Sequence, residues 1–260
     1  MAKKKSNKFS DDIVSNQIIS KYGGIVQSGE EVLEKLETFK TLSVSPALDI
    51  ALGGGIREGN CVIIGGEPKT GKTTTALYFA AKCQALGKNI IYFNTEGRMT
   101  KENFTGIKGF DPKKTKIVQA TDEMPLVSAE VYLNSLETYV KNTPDLVAIV
   151  DSVSSMVPQE ELEGEIRTGV RNSLPRLMSM FLKRISGDVS RTKAILIFIL
   201  HNISNTGGSR WAPAKMEDSG NMVQYQAGTK MVITHRGKWL QSGDDSGPHV
   251  GQIANWKVFT

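Results

Sequence analysis

Residues Gly66 to Thr73 read Gly-Glu-Pro-Lys-Thr-Gly-Lys-Thr, the spacing Gly-x-x-x-x-Gly-Lys-[Ser/Thr], with the apolar run Cys61 to Ile64 in front and a helical pattern behind. The chemistry this pattern serves is the grip of a phosphate chain. Glycine lets the backbone approach closely, and the N–H groups of a loop entering a helix N-terminus are unpaired donors for an anion. Gly66, Glu67, Pro68, Lys69, Thr70, Gly71, Lys72, Thr73 and Thr74 are therefore the expected nucleotide-binding residues. Lys72 would reach the β- and γ-phosphates. The Thr73 hydroxyl would ligate Mg2+, a hard cation that keeps several waters and needs only one or two protein oxygens.

Polar residues also close three apolar runs. Leu146 to Val150 leads into Asp151 and Ser152, and a carboxylate at the C-terminal end of a buried strand is where Mg2+ beside a phosphate is held, usually through water. A strand-terminal Asp also caps turns. Asn89 to Asn94 leads to Glu96, which could orient a water on the γ-phosphate and take its proton, or lie on the surface as an ordinary glutamate. Ala194 to Leu200 leads to His201, which could hydrogen-bond the γ-phosphate and report its loss to the segment behind, or be a satisfied polar residue. The catalytic candidates are thus Glu96, Lys72 and His201, and the metal ligands Thr73 and Asp151.

A second chemistry is suggested further along. In Leu174 to Ile185 the residues Leu174, Leu177, Met178, Phe181, Leu182 and Ile185 form a buried stripe at helical spacing. Arg176, Ser179 and Lys183 share the opposite side, a row suited to a phosphate backbone or to plain solvation. The preceding stretch EELEGEIRTGVRN mixes charges around glycines and reads as mobile. After His201, about twenty residues show no period, and unpatterned loops of that length are usually functional or disordered. They include Arg210 beside Trp211, a charge next to a stacking plane useful for single-stranded nucleic acid, although an isolated Trp commonly packs on its own domain.

The elements that must position these residues alternate. Strands are expected at Cys61–Ile64, Asn89–Asn94, Leu146–Asp151, Ala194–Leu200 and Lys230–Thr234, with helices at Lys72–Leu86, about Pro125–Lys141, and Leu174–Ile185. Continuous Val/Ile-rich strands between helices predict an α/β fold with a mainly parallel sheet covered on both faces. Ahead of it, Val14, Ile18, Ile19 and Tyr22 predict a short amphipathic helix stopped by Gly23-Gly24, and Glu30 to Lys40 reads as helix or linker. The expected division is a basic disordered leader over 1–10, an N-terminal helix and linker over 11–42, and a core over 43–260.

With 260 residues, 39% of them hydrophobic and 23% charged, the chain can bury one good-sized core. Its net charge of +5 is carried in part by Lys3, Lys4, Lys5 and Lys8, in a leader that could touch nucleic acid or simply be solvated. Two cysteines without CxxC spacing argue against zinc and disulfides. The longest apolar run, Ala194 to Leu200, is far too short to span a bilayer, so a soluble intracellular protein is expected.

Taken in order, the phosphate loop, Glu96, Asp151-Ser152, LEGEI, LIFILH and DSGN resemble the RecA recombinase family, including its phage UvsX members, over about Asp12 to Thr260. QIISKYGG and SPALDIALGGGIREGNCVIIGGEPKTGKTT are similar to the family's N-terminal helix and the approach to its P-loop. The resemblance implies a RecA-like P-loop NTPase core, a cytoplasmic DNA-dependent ATPase of a bacterial or phage-infected cell. It would form a helical homo-oligomeric filament on single-stranded DNA, pair it with homologous double-stranded DNA, and use ATP and Mg2+. Glu96 matches the family's catalytic glutamate and His201 its sensor. Residues 158–172 and 202–220 match the DNA-binding loops, and the N-terminal helix a subunit contact. Arg176, Ser179 and Lys183 match phosphate-contacting positions, Val170 or Arg171 the side chain wedged between base triplets, and Trp211, next to Arg210, the second loop's aromatic. Ser219, Gly220 and Asn221 match that loop's end.

Two departures stand out. Leu200 replaces a polar neighbour of the sensor, and NWKVFT ends at Thr260 where the family strand runs on into basic residues that enter the next subunit's ATP site. The expectation is a C-terminally shortened chain or one lacking that contribution. The filament's expected further partners are a single-strand-binding protein or a mediator, and two other readings share the core: a non-catalytic ATP-binding paralogue acting as a mediator for another recombinase, and a ring-forming DNA helicase motor.

Overall fold

The computed structural model of the protein describes residues 12–164, 173–204, 215–217, 227–241 and 247–259. The chain divides into two compact units, Met1–Lys40 and Thr41–Thr260. In the first, α1 (Ile13–Tyr22) begins where the Asp12 carboxylate accepts from the Val14 N–H and ends at Gly23, whose φ of 81° suits glycine. Helix α2 (Gly29–Glu37) starts in a reciprocal box between Ser28 and Glu31, so the Glu30 stretch is helix. Neither helix buries a side chain.

The second unit opens with a two-stranded ribbon, β1 (Thr41–Leu42) against β2 (Ile56–Arg57), around α3 (Pro46–Leu52). It continues as β3 (Asn60–Gly66), α4 (Lys72–Ala85), β4 (Asn89–Asn94), α5 (Lys101–Thr105), β5 (Thr115–Val118), α6 (Ala129–Asn142) and β6 (Leu146–Asp151). There follow α7 (Gln159–Glu163), α8 (Leu174–Thr192), β7 (Ile195–Ser204), β8 (Lys215–Glu217), β9 (Thr229–Leu240) and β10 (His249–Phe259). The main sheet is eight-stranded, in the order β10-β9-β3-β7-β6-β4-β5, with β8 paired to β7. Only β10 and β8 pair antiparallel; the other ladders are parallel. This is the α/β fold with a mainly parallel sheet that the alternation predicts.

Side chains alternate across the strands and split the core in two. Ile63, Phe93, Ala148, Val150, Phe198 and Leu200 pack under α6 and α8. Val62, Ile64, Tyr92, Ile149, Ile197 and Ile199 pack under α4. The strand β3 lies between β7 and β9, whereas β4 lies beyond β7 and β6. The chain therefore crosses the sheet between β3 and β4, and the C-terminal strand ends on either side of such a crossing form the crevice where open α/β sheets bind ligands.

Several boundaries differ from expectation. Helix α8 runs to Thr192, not Ile185, because Val189 continues the stripe one turn past Ile185. Helix α6 starts at Ala129, where Ser128 caps the Val131 N–H. Strand β9 reaches Leu240 because β10 pairs along it. The expected loop 158–172 contains α7, and the loop 202–220 begins and nearly ends in strand: Asn202–Ser204 complete β7 and pair antiparallel with β8. Among the described residues no helix is long and apolar enough to cross a membrane.

Candidate active site

Register brings the polar strand ends together: Gly66 on β3 lies beside His201 on β7, and Asn94 on β4 beside Asp151 on β6. Since Ile149 and Ile199 face α4, the same alternation turns Asp151 and His201 toward the α4 side. There the loop from Gly66 to Gly71 turns into α4. Gly66 has φ 146°, and a Cβ on it would stand 3.2 Å from both Cβ and O of Ile233, so glycine is required. Gly71 is the N-cap at φ 98° and no side chain caps the helix, which leaves its first N–H groups to an incoming anion.

Lys72 is buried and donates to the carbonyl oxygens of Gly66 (3.0 Å) and Glu67 (2.7 Å). Burial pulls its ammonium below the ordinary lysine range, against a partial offset from the charges of Asp151, Glu96 and Glu67. Thr70 Oγ1 donates to the Glu67 carbonyl (2.8 Å), and Gln252 Nε2, on β10, donates to the Thr70 carbonyl (3.1 Å). Thr74 is exposed on the first turn of α4.

Beside the loop, Thr73 Oγ1 (2.6 Å) and Tyr92 Oη (2.7 Å) both donate to Oδ2 of the buried Asp151. Burial raises the Asp151 carboxyl above its usual range, opposed by these hydrogen bonds. Burial, with Asp151 alongside, also raises the Tyr92 phenol, which stays a donor. Among the described residues no three of His, Cys, Asp and Glu cluster tightly enough to hold a metal unaided. Thr73 and Asp151 offer the few hard oxygens that Mg2+ takes from protein when phosphates and waters supply the rest. An uncapped helix, a buried cation resting on carbonyls and this oxygen pair fit a triphosphate with its metal.

Next to it, Glu96 Oε1 accepts from Ser152 Oγ (2.8 Å) and lies 2.5 Å from His201 Nε2. An ionised carboxylate only accepts, so Nε2 carries the hydrogen. The His201 hydrogen bond is the main cause that pushes the Glu96 carboxyl down to about 2; Ser152 and Arg98 act the same way and burial opposes them. Ser154 Oγ accepts from the His201 backbone N–H (3.2 Å). His201 Nδ1 is buried and, among the described residues, has no hydrogen-bond partner. On the far side of Glu96 a cleft of about 470 Å3 opens between Asn94, Phe104, Gln119 and Tyr132. Neither cysteine enters this chemistry, since burial pushes both thiols up to about 12.

Residues 12–258 match the family model for the RecA N-terminal domain. The chain belongs to the RecA family. It is similar to Protein RecA of Gluconacetobacter polyoxogenes, 32% identical over 216 residues that cover 83% of this chain and 59% of that one. Protein RecA of Roseiflexus castenholzii is 31% identical over 237 residues, covering 89% and 64%. That of Rippkaea orientalis is 27% identical over 235 residues, covering 90% and 64%. The chain spans 59–64% of the length of these relatives.

In this RecA-family chain the candidate nucleic-acid row does not meet the phosphate site. Arg176 and Lys183 are exposed and Ser179 half-buried on α8, whose Leu174, Met178, Phe181 and Ile185 pack on the sheet face opposite α4. Val170, Arg171, Arg210, Trp211, Ser219, Gly220 and Asn221 lie outside the described residues. The sequence reading missed Tyr92, Ser152 and Gln252 as supports. Tyr92 carried a signal: it sits on the strand that leads to Glu96 and is the polar aromatic in an otherwise apolar run. Gln252 carried none, being distant in sequence from the loop it holds.

Proposed function

We propose that this chain is the ATPase core of a recombinase that assembles as a helical filament on single-stranded DNA and pairs it with homologous double-stranded DNA in recombination and repair. The carrying observation is the meeting, at one sheet edge of a RecA-family core, of Lys72, Thr73 and Asp151 with Glu96 and His201. Residues Gly66 to Thr74 bind ATP through loop amides and Lys72, and Thr73 and Asp151 hold Mg2+. When bound, Mg2+ neutralises charge on the β- and γ-phosphate oxygens.

Glu96 is the base that orients and deprotonates the attacking water. While His201 and Ser152 both hold Oε1, and its carboxyl lies near 2, it accepts a proton poorly. His201 turning away from Glu96 toward a phosphate oxygen frees Oε1 for water and displaces the end of β7, from which the 202–220 segment departs. That single side chain thereby links nucleotide state to the second DNA loop, with Arg210, Trp211 and Ser219 to Asn221 in it. Val170 or Arg171, with Arg176, Ser179 and Lys183, form the other part of the DNA surface. The unit before Thr41 serves contact between subunits.

The test is ATP hydrolysis with and without single-stranded DNA. Glu96→Gln should lose about 100-fold or more in turnover yet keep ATP-dependent DNA binding. Lys72→Ala should lose both. Unchanged hydrolysis in Glu96→Gln would overturn the assignment. Imaging with DNA and a non-hydrolysable ATP analogue should give open helices; closed hexamers would mark a helicase motor. Binding without joint-molecule formation would mark a mediator.

A further inference from the structure

Tyr92 is 3% exposed and its ring packs in the apolar layer between the sheet and α4. Its hydroxyl is the only polar feature it brings there, and a buried phenol hydroxyl needs a partner. The register supplies one. On the β4–β6 ladder Tyr92 pairs with Ile149 and Asn94 with Asp151, so Tyr92 is the diagonal neighbour of Asp151 on the α4 face. Diagonal neighbours stand roughly 7–8 Å apart, a gap that a phenol spans and a serine or threonine hydroxyl does not. The resulting bond is 2.7 Å, to Oδ2, the oxygen that also accepts from Thr73. Among the described residues no donor reaches Oδ1 of Asp151.

We infer that Tyr92 is a positioning residue for the metal: its hydroxyl fixes the Asp151 carboxylate through Oδ2, so that Oδ1 is presented to the cation or its waters. Thr73 alone does not do this, because a single donor leaves the carboxylate free to turn about that one hydrogen bond. A carboxylate held by two donors from different elements, α4 and β4, cannot rotate about its terminal bond without breaking one of them. The metal is then met by a pre-set oxygen. Removing the Tyr92 hydroxyl leaves Asp151 hinged on Thr73 alone, and hydrogen-bond partners that orient a metal-holding group typically matter at the level of 10–100-fold in metal affinity.

This inference rests on the ATP and Mg2+ reading above, and the experiment separates the two. A fluorescent ATP analogue is titrated with Mg2+ on the full chain, and with EDTA in place of the metal. Tyr92→Phe keeps the ring and loses only the hydroxyl; Tyr92→Met loses both ring and hydroxyl. In both variants the Mg2+ midpoint should rise on the order of ten-fold, with nucleotide affinity in EDTA unchanged from the unsubstituted chain. A midpoint unchanged in Tyr92→Phe, or raised in Tyr92→Met alone, would overturn the positioning role, the second outcome by assigning the effect to packing. If the unsubstituted chain shows no Mg2+-dependent gain in nucleotide binding, the ATP reading itself falls, and this inference with it.

Discussion

Lys88, just before β4, and Lys72, at the head of α4, are both buried, yet they are completed in opposite ways. Lys88 lies at the N-terminal end of the parallel strands, where its ammonium meets Glu58 Oε1 at 2.5 Å and Asp145 Oδ1 at 3.0 Å. Burial alone would lower its pKa, but the bonds and charges of Glu58 and Asp145 outweigh burial and raise it. Lys72 lies at the C-terminal end and rests on two carbonyl oxygens; there burial wins and the pKa is lowered. A buried cation closed by carboxylates at hydrogen-bond distance is a structural clasp. One held only by neutral oxygens, with carboxylates further off, is a cation kept for an anion that arrives. The same fold thus neutralises charge at one end of its sheet and leaves it unspent at the other.

The comparison breaks most readily at Lys88. Lys88→Met removes the cation facing a glutamate whose side chain is 2% exposed, and breaking a buried pair costs about 3–5 kcal/mol. Urea unfolding should show that loss, with partial recovery when Glu58→Gln is added. Lys72→Ala should instead change stability without nucleotide by less than about 1 kcal/mol, since the group removed has no carboxylate bonded to it and pays for burial. The unsubstituted chain should gain about 2.7 kcal/mol from ATP at 100 times its Kd, and Lys72→Ala nothing at the same concentration. Equal destabilisation by both substitutions would erase the distinction.

What the sequence revealed follows the same line. The phosphate end was legible because its chemistry is local: the glycines, Lys72 and Thr73 lie in one stretch, and Asp151, Glu96 and His201 each close an apolar run. The clasp was not legible. Glu58, Lys88 and Asp145 sit in short turns far apart in the chain and look like surface charges until parallel pairing gathers them. Strand β10 was reached only through the resemblance at NWKVFT and not by pattern, since register shifts at His249/Gly251 and Asn255/Trp256 interrupt the two-residue alternation that marks a strand. Strand β5 is four residues long, too short to show a period. Helix α8 was underread because its apolar stripe was followed only to Ile185, whereas Val189 still packs in the core.

The smallest expected effect tests how the phosphate end is held before an anion arrives. Glu96 has an ordinary value of 4.5 and lies at about 2 in the fold, chiefly through His201. The folded value is the lower one, so the unfolded chain binds more protons between the two. This stabilisation is complete above about pH 4.5 and is lost as pH falls toward about 2, on the order of 3 kcal/mol in all. Asp151, raised by burial, responds with the opposite sign, so absolute acid stability mixes the two. In the difference between the unsubstituted chain and His201→Ala most of the Asp151 contribution cancels, since His201 is the smallest of its causes, whereas the main cause of the Glu96 shift is removed. Unfolding free energies should therefore differ by about 1–2 kcal/mol near pH 5.5, with the gap narrowed by about half at pH 3 and closing only near pH 2. A gap that stays constant across that range would mean that His201 does not hold Glu96 in solution, and the coupling drawn between sensor and base would go with it.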